Sequence, residues 1–178
     1  MVELGHVDIA TEISLLSSHL AYPREGHLEA ALHVMGYLRL KHNSRLVFDP
    51  TYPKIDMDLF PKYDWTEFYG DVEEAIPPDM PEPLGKDLDV RMMCDSDHAG
   101  EQRTRRSRTG FLIFCNMALI DWVSKRQATI ETSVFGAEFV AMKHGIEKRY
   151  KLRMMGIPLT GPSYIFGDNK SQSGDQFH

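Results

Sequence analysis

Apolar residues recur along this chain with two different periods, and the change between them divides it. Ile9, Ile13, Leu16 and Leu20 follow Asp8 at spacings of three or four, and Leu28, Leu32, Met35 and Leu38 repeat the spacing after Pro23. Such spacing gathers one apolar stripe on a helix, so residues 8–41 are expected to form two amphipathic helices joined by a tight turn. Arg45 to Phe48 reads as a short strand. Pattern is then lost over 49–87, where Pro50, Pro53, Pro61, Pro77, Pro78, Pro81 and Pro83 stand among many acids. That composition predicts a linker, with Trp65, Phe68 and Tyr69 as an aromatic anchor for a neighbouring domain or else as part of a short helix. From Leu88 the pattern gives a strand, hairpin strands at about 109–116 and 118–125, a helix at about 133–155 and a strand at 163–167. An α/β fold follows: a three-stranded antiparallel meander, a crossover helix, and a last strand parallel to the first. A right-handed crossover places that strand beside the first. The chain thus divides into a helical segment at 1–48, a proline-rich acidic linker at 49–87 and a sheet domain at 88–178.

Composition narrows the classes. With 178 residues, 42% apolar and 26% charged, the chain has the length and balance of one domain with a real core and a helical appendage. No apolar run approaches the ~18 residues of a membrane span. Residues 1–10 lack the basic start and apolar core of a secretory signal, so an intracellular site, cytoplasmic or nuclear, is expected. Cys94 and Cys115 have no metal-ligand spacing and are expected to be buried thiols in a reducing compartment. The eight histidines show no paired spacing for zinc.

Charge is unevenly placed. The formal net charge is −6, but residues 1–90 hold seven basic and 17 acidic side chains and residues 91–178 hold 13 and nine, so the halves carry −10 and +4. Only the second half has the balance of a surface that meets phosphates. Arg103, Arg105, Arg106 and Arg108 lie on the connection after the first strand, and Lys125 and Arg126 at the end of the third. Those cations suit either a nucleic-acid patch or a charged hairpin edge that discourages strand pairing.

Three carboxylates stand at strand, helix and strand positions. Asp95 ends the apolar run of Val90, Met92, Met93 and Cys94, Glu138 lies in the helical pattern, and Asp168 follows Tyr164-Ile165-Phe166. Acids from two neighbouring strands and the helix across them can meet at one end of a sheet and hold a hard cation such as Mg²⁺. Glu138 also reads as a helix acid at the margin of a buried stripe made by Val134, Ala137, Ala141 and Met142.

The surrounding blocks carry a resemblance. Cys94-Asp95-Ser96-Asp97-His98-Ala99-Gly100, Arg105-Arg106-Ser107-Arg108-Thr109-Gly110-Phe111, Asp121-Trp122-Val123-Ser124-Lys125-Arg126-Gln127, Ala137-Glu138-Phe139 and Gly167-Asp168-Asn169-Lys170-Ser171 occur in that order. Together they resemble the ribonuclease H domain of copia-type retrotransposon polyproteins over about residues 88–172. Residues 5–48 more loosely resemble the connecting segment that follows the reverse-transcriptase palm. The resemblance implies a ribonuclease H-like mixed sheet in the order third, second, first, fourth, and metal-dependent hydrolysis of the RNA strand of RNA–DNA hybrids. It implies Asp95, Glu138 and Asp168 as catalytic, metal-binding acids for two Mg²⁺ ions, with Mn²⁺ as substitute. It also implies Arg105, Arg106, Arg108, Lys125 and Arg126 as contacts to the hybrid and the polymerase region as a neighbour. Asp97 matches the second acid of the first block. Departures accompany the matches: Gly136 stands where the family has an acid, the helix is about one turn short, and the fourth acid and terminal elements are missing after Ser171. A truncated copy with weak or absent turnover is therefore expected. The alternative is a non-catalytic binding or connecting module on the same sheet.

Overall fold

The computed structural model describes residues 5–56, 58, 64, 66–70, 77–101, 104–159, 161, 163–167 and 176–177. A 3-10 turn at Val7–Ile9 leads into helix α1 (Ala10–Ser17), and α2 (Glu25–Leu40) follows. Both expected helices are present, yet neither apolar stripe is buried along its length. Ile13 and Leu20 of the first and Leu28, Leu32 and Met35 of the second are exposed, whereas Ile9 and, off the expected stripe, Val34 are buried. The reason is partnership: α2 packs chiefly on short α1, too small a surface to cover a four-turn stripe. The strand expected at 45–48 is irregular chain, with Val47 and Phe48 exposed. Two apolar residues do not make a strand without a free sheet edge to bond to.

Within 49–87, α3 (Thr66–Tyr69) is a single turn, and Trp65 lies outside the described residues. The ends of this segment are fastened. Asn116 Nδ2 donates to the Pro50 carbonyl at 2.9 Å, Met117 N to Thr51 at 3.1 Å, and Leu84 N to Gly156 at 2.9 Å.

The sheet contains β1 (Val90–Asp97), β2 (Arg108–Cys115), β3 (Ala118–Arg126), β4 (Ser163–Phe166) and β5 (Gln176–Phe177), in the order β3-β2-β1-β4-β5. Strands β1, β2 and β3 form the expected antiparallel meander, and β4 lies parallel to β1 with Met92 opposite Ile165. Two-residue β5, antiparallel to β4, was not anticipated from the polar tail. Crossover helix α4 (Val134–Met154) starts where Ser133 Oγ accepts the Gly136 N–H at 3.0 Å, an ordinary N-cap. Its Ala137, Ala141, Met142 and Gly145 are buried against the sheet. Gly145 leaves room for the Met92 sulfur, which a Cβ at that position would force to move. Val134 departs from the expected stripe and is 49% exposed: its helical phase is right, but the first turn overhangs the strands. Val90, Met92, Cys94, Phe111, Ile113, Cys115 and Ile165 complete the core beneath α4. Each buried aliphatic or aromatic side chain there contributes about 1.5–3 kcal/mol relative to exposure. On the other face of the sheet, α1 packs against β3. No described helix is long and apolar enough to cross a membrane.

Candidate functional site

Strand β1 decides where the acids go. Its burial alternates, with Val90, Met92, Cys94 and Ser96 turned under α4 and Met93, Asp95 and Asp97 exposed on the opposite face. Asp95 there borders a cleft of about 270 Å³ that also includes Val7, Ala10 and Thr11. Glu138 is 6% exposed, on the α4 surface that covers the sheet. Asp95 and Glu138 therefore leave the sheet on opposite faces, and as placed they do not fit a shared cation. Asp168 lies outside the described residues. Among the described residues no three His, Cys, Asp or Glu side chains are grouped to hold a metal ion.

Instead of an acid, β1 presents Ser96 to the α4 face, and around it a buried polar layer closes this end of the core. Ser96 pairs with Thr109 across β1 and β2. Thr109 Oγ1 accepts from Gln127 Nε2 at 2.9 Å, and the same amide donates to the Ala137 carbonyl at 2.8 Å. Gln127 N donates to the Ser107 carbonyl at 2.8 Å, and Ser107 Oγ accepts the Ala99 N–H at 3.1 Å. Glu138 Oε2, Gln127 Oε1 and Ser96 Oγ are buried without a hydrogen-bond partner among the described residues. Gln127 is a residue whose role the sequence reading did not assign. Its signal was an amide one step beyond β3, two residues on from Lys125, the register partner of the inward Thr109.

Basic residues from the same end divide by what already holds them. Arg126 Nη1 donates to both Glu101 oxygens at 3.0 and 2.9 Å, and Arg108 Nη1 donates to Ser14 Oγ of α1. Burial pushes the Arg108 guanidinium pKa down, partly offset by Glu101. Arg105 and Lys125 are exposed and Arg106 is half-buried. Arg105 sits in the left-handed region at φ 57°, pinned by its N–H to the Glu101 carbonyl at 2.7 Å. Arg103 lies outside the described residues.

A curated relative shares part of this chain. An uncharacterized mitochondrial protein of Arabidopsis thaliana is 46% identical over 55 residues, which is 31% of this chain and 23% of that protein. The match thus spans under a quarter of the relative's length. No family model matches the chain, and no solved structure matches it significantly.

Proposed function

We propose that this chain is a retroelement-derived, ribonuclease H-like module that binds RNA–DNA hybrid without efficient hydrolysis. The observation that carries the reading is the placement of Asp95 and Glu138 on opposite faces of the sheet. Cleavage in this family resemblance depends on acids converging on divalent metal, and a hard cation such as Mg²⁺ tolerates incomplete coordination badly. Binding asks for less. Arg105, Arg106, Arg108, Lys125 and Arg126 come from the β1–β2 connection and the adjoining ends of β2 and β3, where Arg108 pairs directly with Arg126. Cations so grouped suit phosphates, and A-form geometry with 2′-hydroxyls would distinguish hybrid from DNA duplex. Two further matters belong to the same reading: a polymerase region as natural neighbour, and an intracellular setting.

The test is a labelled RNA–DNA hybrid titrated with the full chain in Mg²⁺, in Mn²⁺ and without metal, beside Glu138→Gln. The expected result is salt-dependent binding that does not require metal, and no cleavage above that of the Glu138→Gln control. Metal-dependent cleavage abolished by that substitution would overturn the non-catalytic reading and restore a nuclease. Absence of hybrid binding would overturn the binding reading.

A further inference from the structure

A cleft of about 300 Å³ lies between the C-terminal end of α1 and the β1–β2 connection. Three guanidinium groups reach its lining from different stretches of chain: Arg106, Arg108 and Arg126. Glu101 takes up Arg126 through both carboxylate oxygens, and Asp97, also in the lining, offsets a second cation. Arg106 makes no side-chain hydrogen bond or ion pair with the described residues, so one positive charge is left over with histidine neutral. The opposite wall belongs to Leu15 of α1 and the turn that follows the helix, which supplies Ser18 and His19. The His19 ring is stacked on His27 at 4.1 Å and 18°, which fixes its plane beside the cleft. Partial burial of Arg108 adds a cation short of solvent, a penalty that an anion would relieve.

We infer that this cleft is a phosphate-binding site completed by the turn that ends α1, taking one phosphodiester of a nucleic-acid backbone, with Arg106 as the anchoring cation, His19 as a neutral donor, and the Ser18 hydroxyl turning to the phosphate from the Ser14 carbonyl it otherwise bonds. The inference rests on the hybrid-binding reading for its ligand. Hydroxyl, imidazole and guanidinium donors recognise phosphate oxygens without reading bases, so sequence-independent binding follows. It also makes the N-terminal helices part of the binding surface.

Two probes separate the cleft from the reading beneath it: inorganic phosphate, followed by the His19 ring resonances, and RNA–DNA hybrid, followed by anisotropy over a range of salt. Phosphate is expected to move the His19 resonances, and Arg106→Ala to abolish that movement. On hybrid, Arg106→Ala is expected to lower the logarithmic salt slope by about one unit. The double substitution Ser18→Ala with His19→Ala is expected to weaken hybrid binding roughly two- to tenfold, the range for neutral hydrogen bonds, while Lys143→Ala on the exposed side of α4 changes nothing. Hybrid binding unchanged by the Ser18 and His19 substitutions, with His19 unmoved by phosphate, overturns the cleft and leaves the hybrid reading standing. Phosphate binding without hybrid binding overturns the backbone assignment together with the hybrid reading.

Discussion

Thr104 and Arg126 grip the Glu101 carboxylate, Thr104 Oγ1 donating at 2.6 Å and Arg126 Nη1 at 2.9 Å to the same oxygen. The Thr104 hydrogen bond, followed by that from Arg126, holds the Glu101 pKa below its ordinary value of 4.5. A carboxylate depressed on folding contributes stability that is fully present above its unfolded value and is lost as pH falls through the lower folded value. Stability of the β1–β2 connection is therefore expected to decline below about pH 4.5 rather than in the neutral range. Thr104→Val should move the Glu101 titration back up toward 4.5, followed by NMR of the side-chain carboxyl. An unmoved titration would show that Thr104 does not hold the acid. Residue identity alone also exposed the limit of the acid triple. Asp95 and Ser96 are adjacent, and on a strand adjacency means opposite faces, so the position of one carboxylate turns on a single step of register.

At the scale of elements, the hairpin between β2 and β3 shows how one turn fastens several pieces. Asn116 is buried, and at φ 54° it adopts a conformation that asparagine tolerates better than most residues. Its Oδ1 accepts the Asp89 N–H at 3.0 Å, its Nδ2 donates to the Pro50 carbonyl at 2.9 Å, and its own carbonyl accepts from Arg91 at 2.8 Å. Asn116→Ala removes both side-chain bonds, leaves part-buried backbone groups without those partners and meets the steric cost of the left-handed backbone. A loss of about 2–4 kcal/mol is expected, read as a lower urea midpoint. A midpoint within error of the parent would mean that Asn116 is not the fastening. Helix α4 is held by comparable means, with the Gln127 amide bridging β2 and the Ala137 carbonyl at one end and Lys148 Nζ donating to Asp121 at 2.7 Å further along.

Across the whole molecule, the N-terminal helices and the sheet are in contact through α1 against β3 and through Arg108 on Ser14. The segment at 49–87 is anchored near both ends, by Pro50 and Thr51 on the hairpin and by Leu84 on Gly156. Trypsin acting at Lys54 or Lys62, within the proline-rich stretch, is expected to leave two fragments that migrate together on size exclusion. Separation of the fragments would show that these contacts are too weak to join the parts.

Much of the architecture was legible from sequence because local rules govern it. Period and punctuation located α2, the meander, α4 and β4 within a residue or two, α1 stops three residues short of Leu20, and the right-handed crossover placed β4 beside β1. The short strand expected at 45–48 and the buried place expected for Val134 failed, since both depend on what lies opposite in space. The same reason separates the two halves of the candidate site. Sequence alone determined which residues share a face of β1, because side chains alternate with a period of two wherever the strand sits. Only the tertiary structure decided which of those faces α4 covers, and it chose Ser96 over Asp95: burying Val90, Met92 and Cys94 in the core commits every second residue of the strand with them.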